Sequence, residues 1–143
     1  MQGCIFCHIA SGSVPAHLIY EDELVFAFLD ICPIRPGHAQ IIPREHFDYF
    51  DDLPDIVASR IVQIGQRLAR GMKKLYRVER VGFVFTGGDI AHAHAHIVPM
   101  HEATDITSRR YIIDSDLRFA SLPKADPAAL KATAHALRSL LAP

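Results

Sequence analysis

Three histidines recur at every second position in the segment His92-Ala93-His94-Ala95-His96. A β-strand directs alternate side chains to opposite faces, so this spacing predicts three imidazoles on one face with Ala93 and Ala95 on the other. At a rise of about 3.3 Å per residue, the outer rings start about 13 Å apart, too far for all three to bind one metal ion. One zinc ion could take one ring or two neighbours, which leaves at least one imidazole for other chemistry. Clustered titratable rings of this kind indicate a functional site.

A second chemical group is the Cys4-Ile5-Phe6-Cys7 pair at the amino terminus. Two thiolates spaced by two residues can share one tetrahedral cation, and zinc then needs two further ligands, for which histidines are available. A redox C-x-x-C motif is the alternative, but that motif follows a strand, and here it begins almost at the first residue. Two buried or idle thiols are the remaining interpretation.

A third group lies between Asp30 and His46. Pro33, Pro36 and Gly37 are typical of a stiff connection, which places Asp30 at the end of one strand and His38 at the start of the next. An ordinary loop has the same composition, so this segment gains meaning only in combination with the other two groups.

Composition limits the class of protein. The chain has 143 residues and is 50% apolar, enough for one domain with a real core. It has 15 basic and 16 acidic side chains, so no broad charge footprint for nucleic acid or an anionic membrane is expected. With no long apolar run or signal pattern, and only three cysteines, we expect a soluble cytoplasmic protein without a disulfide scaffold.

The elements that position these groups form an α+β pattern. Short β-prone runs occupy residues 18–21, 24–29, 39–42, 81–85 and 92–98, and the short turns between several of them favour an antiparallel sheet of about five strands. One long helix is predicted from apolar residues at helical spacing, namely Val57, Ile61, Ile64, Leu68, Met72 and Leu75. Its basic residues are expected on a solvated face: Arg60, Arg67, Arg70, Lys73 and Lys74.

The carboxy-terminal part has weaker patterns. We assign residues 1–102 to one domain and residues 103–143 to an extension packed on that domain or on a dimer. Residues 111–113 could form a short strand. Asp126 followed by Pro127 is typical of a helix start, and the helix is expected to run to Leu141 and to dock through Leu130, Leu137 and Leu141.

The three groups together resemble the histidine triad family of nucleotide-binding hydrolases and transferases. The likeness covers about residues 3–102 and is carried by Cys4-x-x-Cys7, Asp30 with Pro33, Gly37-His38, Ile41-Ile42-Pro43-Arg44 with His46, and His92-x-His94-x-His96-x-x-Pro99. It implies a homodimer whose sheets join. It also implies a purine nucleotide substrate, either a phosphoramidate or a dinucleoside polyphosphate.

The resemblance also implies roles for individual residues. His94 is the nucleophile that attacks the α-phosphorus and forms a nucleotidyl-histidine, from which water releases a nucleoside monophosphate. His96 contacts the phosphate, His38 lies beside the catalytic site, and Asp30 holds the ribose hydroxyls. A structural zinc is implied on Cys4, Cys7, His46 and His92, and with four protein ligands it has no open position, so no catalytic metal is required.

One segment departs from the family pattern. Gly88 stands where the family usually has a phosphate-binding glutamine, and Asp89 stands where many members have a small hydroxyl residue. A carboxylate there opposes a phosphate unless it is turned away or protonated. Backbone N–H groups of the Gly87-Gly88 turn could replace the missing amide as an anion nest.

Two other functions compete with a nucleotidyl hydrolase. One is a metallohydrolase in which two of the three histidines hold a catalytic zinc, and chelation would then abolish activity with the fold intact. The other is a zinc-stapled module that binds nucleotides without turnover, in which His94→Ala would change affinity alone.

Overall fold

The computed structural model describes residues 3–107 and 121–141. The elements are α1 (Ile5–Ala10), β1 (Leu18–Glu21), β2 (Val25–Leu29), β3 (Ala39–Pro43), a short 3-10 turn (Phe50–Asp52), α2 (Asp55–Tyr76), β4 (Arg80–Phe85), β5 (Ala95–Met100) and α3 (Pro127–Leu141). The strand considered at residues 111–113 lies outside the described residues. No helix within the two described ranges has both the length and the apolar composition needed to cross a membrane.

The five strands form one sheet in the order β1-β2-β3-β5-β4, and each neighbouring pair is antiparallel. This confirms the α+β class and the antiparallel sheet of five strands. The β1–β2 hairpin turns at Asp22, whose Oδ1 accepts the backbone N–H groups of Leu24 and Val25 at 2.8 and 2.9 Å. Arg60 does not lie on a solvated face as expected, because its Nε donates to Asp22 Oδ2 at 2.6 Å and so ties α2 to the hairpin.

The two faces of the sheet bury different residues because side chains alternate along each strand. Along β2, Val25, Ala27 and Leu29 join the core beneath α2, whereas Phe26 and Phe28 pack on the opposite face beside α1. The predicted stripe of α2 is buried at Val57, Ile61, Ile64, Leu68 and Met72. The prediction was wrong for the last residue of the stripe, because Leu75 is 39% exposed.

The glycine at position 65 allows β4 to approach α2 closely. A Cβ atom on Gly65 would lie 2.6 Å from Cε2 of Phe83. A helix interior normally disfavours glycine by about 1 kcal/mol relative to alanine, so the close approach of the Phe83 ring is the physical reason for its presence here.

The carboxy-terminal helix α3 packs against α2 and β1. Asp126 caps it, with its carboxylate oxygens 3.3 Å from the backbone N–H groups of Ala128 and Ala129. Leu130, Leu137 and Leu141 are buried, which confirms the predicted helix and its docking residues.

The last strand begins later than predicted. The sequence favoured a strand over residues 92–98, but β5 starts at Ala95, and only His96 of the three histidines belongs to it. The N–H of His92 donates to the carbonyl of Ile90 at 2.9 Å, and the N–H of Ala93 donates to that of Phe47 at 2.7 Å, so these backbone groups are not available to a sheet ladder. Ala93 and Ala95 still point into the core, so the predicted alternation of side chains holds although the segment is not one strand.

Candidate functional site

Four side chains from three parts of the chain converge near the amino terminus: Cys4 at the start of α1 and Cys7 within it, His46 after β3, and His92 before β5. Their ligand atoms all lie within 4.8 Å of one another. Cys7 Sγ is 3.2 Å from His46 Nδ1, Cys4 Sγ is 3.4 Å from His92 Nδ1, and the two Nδ1 atoms are 3.2 Å apart. A tetrahedral zinc ion with bonds of about 2.3 Å to sulfur and 2.0 Å to nitrogen has ligand separations of roughly 3.3 to 3.8 Å. The four atoms therefore have the spacing of a zinc coordination shell.

The remaining ring nitrogens support the same fit. His92 Nε2 donates its proton to the carbonyl of Pro43 at 3.1 Å, and His46 Nε2 donates to the carboxylate of Asp48 at 2.9 Å. Both Nδ1 atoms consequently carry lone pairs that face each other and the two sulfur atoms. Lone pairs this close are unfavourable without a cation between them, and outer partners of this type are what orient histidines bound to zinc.

Helix α1 was not predicted from the sequence. It begins at Ile5, so Cys4 lies at its start and Cys7 one turn later, and the two thiols face the same side. A helix behind a C-x-x-C pair also suits a redox motif, but the thiols here converge with His46 and His92, which favours a metal site over a dithiol.

His94 lies beside this cluster, and its orientation is set by a backbone carbonyl. Its Nδ1 is 2.7 Å from the carbonyl oxygen of His92, to which it must donate a proton. In a neutral imidazole the other nitrogen, Nε2, then carries a lone pair. The ring is 4% exposed and packs edge-on against Phe6, with centroids 5.2 Å apart. His94 is thus a fixed imidazole whose Nε2 lone pair has the chemistry that a nucleophile requires.

His38 and His96 form a second pair with a defined proton arrangement. The N–H of Ile34 donates to His38 Nδ1 at 3.2 Å, so the proton of His38 resides on Nε2. That nitrogen is 2.9 Å from His96 Nδ1 and donates to it, which leaves the proton of His96 on its outer Nε2. His96 therefore presents an N–H donor, the group that stabilises negative charge on a phosphoryl oxygen.

Burial keeps both rings of this pair neutral. Removal from water lowers the pKa of His38 to about 4, and the charge of Asp30 only partly opposes this effect. Burial also lowers the pKa of His96. The proton arrangement derived from the hydrogen bonds consequently persists at neutral pH.

The turn before His38 depends on Gly37. Its φ of 94° lies in the left-handed region, and a Cβ atom there would meet the Tyr76 ring at 2.4 Å. Only glycine allows the chain to enter β3 with the His38 side chain aimed at His96.

Asp30 at the end of β2 is held by two donors. Its Oδ1 accepts the N–H of Cys32 and its Oδ2 accepts Nε2 of Gln40, each at 2.7 Å. Each oxygen retains a lone pair, so the carboxylate can still accept hydroxyl protons from a ligand.

Three cavities adjoin these residues. A cleft of about 430 Å³ contains Asp30, His38 and His96. An apolar cavity of about 310 Å³ lies against α1 and includes Phe6, Phe28 and Ile31, with Asp30 at its edge. A third, of about 260 Å³, contains His94 among the aromatic rings of Tyr49, Phe50 and Phe85.

A sequence model of the HIT domain matches residues 11–103. The chain belongs to the histidine triad (HIT) family. An uncharacterized HIT-like protein of Methanocaldococcus jannaschii is 37% identical over 103 residues, which cover 69% of this chain and 80% of that protein. The adenosine 5′-monophosphoramidase of Saccharomyces cerevisiae is 35% identical over 100 residues, 69% of this chain and 63% of the yeast protein. The crystal structure of a zinc-bound histidine triad family protein from Mycobacterium smegmatis is 29% identical, with a TM-score of 0.76 and coverage of 98% of this chain and 94% of that one.

This HIT chain brings most of its predicted site residues together. One cluster contains the four predicted zinc ligands, and a second contains Asp30, His38 and His96. Asp89 lines the same cleft as His96, and its negative charge opposes the lowering of the His96 pKa. Gly88 is exposed, and within the described residues no atom lies within 4 Å of the position its Cβ would take.

Several residues that line the cavities of this HIT chain had no signal in the sequence. Phe6 was hidden between the two cysteines, although its ring contacts both His94 and Phe28. Ile106 and Leu122 line the 430 Å³ cleft from the part of the chain that was interpreted as an extension. Their apolar character alone does not distinguish them from ordinary core residues.

Proposed function

We propose that this HIT protein is a nucleotide hydrolase or transferase that acts on the α-phosphate of purine nucleotides through a covalent nucleotidyl-histidine at His94. The observation that carries the proposal is the 2.7 Å hydrogen bond from His94 Nδ1 to the carbonyl of His92, which leaves Nε2 with its lone pair. A positioned imidazole of this kind is an effective nucleophile near pH 7.

The cavities fit the parts of a nucleotide. The apolar cavity with Phe6, Phe28 and Ile31 suits a purine ring, since aromatic and aliphatic walls stack on its flat faces. Asp30 at the edge suits the ribose hydroxyls, which donate to a carboxylate, whereas a phosphate would be repelled. The phosphate then reaches His94 and His96.

The reaction follows from the two proton arrangements. Nε2 of His94 forms a bond to the α-phosphorus, and the bond from phosphorus to the leaving group breaks, with its electron pair remaining on that group, which takes up a proton from solvent. The Nε2–H of His96 donates to a phosphoryl oxygen as charge develops there. Water then forms a bond to phosphorus and gives a proton to solvent, and the bond to His94 breaks with its electron pair returning to Nε2, so the net reaction consumes one water molecule and releases a nucleoside monophosphate.

The zinc site supports this chemistry without taking part in it. Zinc on Cys4, Cys7, His46 and His92 has a complete set of four protein ligands, which is the pattern of a structural ion. When bound, the ion holds α1 against the loop before β5. The carbonyl of His92 accepts the hydrogen bond from His94 Nδ1, so a metal ligand also positions the ring of His94.

The geometry disfavours the metallohydrolase. His38, His96 and Asp30 lie close enough to suggest a second metal group. However, both nitrogens of His38 are engaged, one by the N–H of Ile34 and the other by His96. The Nδ1 of His94 is likewise engaged by a carbonyl, so these rings are arranged for hydrogen bonding to a substrate.

The name of the yeast relative supports a phosphoramidate as the first substrate to test. We expect the protein to release AMP from adenosine 5′-monophosphoramidate, and His94→Ala to abolish the release. The exposed His135 on α3 supplies the matched control, His135→Ala, which should retain full activity. Rapid quenching followed by mass spectrometry should detect a nucleotidyl adduct on the peptide with His94. AMP release by His94→Ala at the wild-type rate would refute the covalent mechanism, and substrate binding without any release by the wild type would support the non-catalytic module.

We also propose that the protein is a cytoplasmic homodimer joined at β4. Within residues 3–107 and 121–141 this strand is one of the two edges of the sheet, and Phe83 on it is 42% exposed. Such an edge with an exposed aromatic ring suits the equivalent edge of a second copy. Light scattering after size-exclusion chromatography should show a dimer, and Phe83→Lys should shift it to the monomer.

A further inference from the structure

Resting on the proposed function, we infer that Asp89 selects the leaving group by charge, and that the preferred substrates are nucleoside phosphoramidates of amines that carry a positive charge. Polyphosphate leaving groups are then disfavoured. The inference concerns the part of the substrate that lies beyond the α-phosphorus.

The location of Asp89 supports this role. It lines the 430 Å³ cleft together with His96 and Asp30. Asp30 is held by Cys32 and Gln40 and serves the ribose, whereas Asp89 is exposed on the turn before His92 and is available to a group leaving the phosphate. The charge of Asp89 acts on His96, the residue that donates a hydrogen bond to the phosphate. Burial and the neighbouring His94 lower the pKa of His96, and the carboxylates of Asp30 and Asp89 raise it.

The balance of charge around the three histidines points the same way. Among the described residues that line the three cavities, the acidic members are Asp30, Asp51 and Asp89, and there is no lysine or arginine. A dinucleoside polyphosphate places several negative charges beyond the α-phosphorus and needs cations to hold them. A neutral or positively charged amine needs no cation beyond the α-phosphorus. The carboxylate of Asp89 therefore favours an ammonium-bearing leaving group by attraction and disfavours a polyphosphate by repulsion.

Four substrates of graded charge test the inference. They are the AMP phosphoramidates of 1,4-diaminobutane, pentylamine and 4-aminobutanoate, which are similar in size and carry a cationic, neutral or anionic end, and diadenosine tetraphosphate. We expect kcat/KM for AMP release to fall in that order, with the cationic amine preferred over the anionic one by on the order of tenfold at low salt, and less at high salt.

Two variants isolate Asp89. Asp89→Asn and Asp89→Ser should reduce the cationic-to-anionic ratio by about tenfold, mainly by raising kcat/KM for the anionic amine and the tetraphosphate. The control is Glu23→Gln, which removes an equal charge from the exposed β1–β2 turn and should leave the ratio unchanged. Circular dichroism establishes that both Asp89 variants are folded.

The possible results separate this inference from the proposed function. If the wild type hydrolyses phosphoramidates without a charge preference, or if the Asp89 variants keep the wild-type ratio, the inference fails and the proposed function stands. If the tetraphosphate is the best substrate, the inference is likewise overturned. Absence of AMP release from all four substrates would overturn both.

Discussion

Replacing His38 by glutamine should make the protein less sensitive to acid. Burial lowers the pKa of His38 from its ordinary value of 6.5 to about 4 in the folded protein. Between these two values the unfolded chain binds a proton at this ring and the folded chain does not, so the free energy of unfolding decreases as the pH falls. At roughly 1.4 kcal/mol per pH unit, this linkage removes about 2 kcal/mol by pH 5 and up to about 3 kcal/mol below pH 4.

His38→Gln retains an N–H donor at the end of the side chain for His96 but has no group that titrates in this range. Urea unfolding of both proteins at pH 7.5 and pH 5.0 measures the effect. We expect the wild type to lose about 2 kcal/mol more than the variant between the two pH values. Buried histidines away from His38 contribute equally to both proteins and cancel in this comparison, and His96 faces a hydrogen-bond donor in both. An equal acid-induced loss in wild type and variant would refute the argument that burial keeps His38 neutral, and the exposed His135→Gln should behave as the wild type does.

Three other predictions concern packing, the metal and the hairpin. Gly65→Ala should lower the free energy of unfolding by about 1–3 kcal/mol because the new methyl group meets Phe83 at 2.6 Å. The control is Gly71→Ala, whose methyl group lies 3.4 Å from its nearest neighbour and which should be at least as stable as the wild type. Equal losses of stability in the two variants would contradict the packing explanation. Cys7→Ser should reduce the amount of bound zinc, as measured by plasma mass spectrometry. A chelator should lower the melting temperature of the wild type but not that of the variant. Zinc retained at the wild-type level in Cys7→Ser would exclude Cys7 as a ligand. The pKa of Asp22 is lowered to about 2 because hydrogen bonds from the hairpin backbone and from α2 outweigh the effect of its burial. Asp22→Asn should therefore be about 1 kcal/mol less stable than the wild type at pH 7 and should lose less stability between about pH 4 and pH 2. An unchanged acid transition would show that another carboxylate dominates.

The sequence predicted the sheet because its strands alternate or are buried on both faces. Residues of β2 and β3 are apolar nearly throughout, as expected for central strands, and the turn at Asp22 marks the hairpin. The long helix followed from apolar spacing. The last member of its apolar stripe was misassigned, because Leu75 fits the helical period but is 39% exposed.

The candidate site was predictable wherever chemistry restricts the residue type. The Cys4-x-x-Cys7 pair and the alternating histidines were visible from residue type and spacing, whereas the resemblance to the histidine triad family assigned His46 to the metal cluster and Asp30 and His38 to the second cluster. The alternation of His92, His94 and His96 survived although the strand begins only at Ala95. The start of β5 and the walls of the cavities could not be predicted from the local sequence. Hydrogen bonds to Ile90 and Phe47 end the ladder before β5, and these depend on tertiary placement. The walls of the cavities are ordinary apolar residues whose position only the fold reveals.

Phe6 links two parts of the protein that would otherwise be independent. It lies between Cys4 and Cys7, packs against His94, and forms one wall of the apolar cavity. Oxidation of the two thiols by peroxide would therefore disturb more than the ion they hold, because the aromatic ring carried between them would shift as well. Oxidative damage at the amino terminus should consequently appear as a loss of nucleotide affinity.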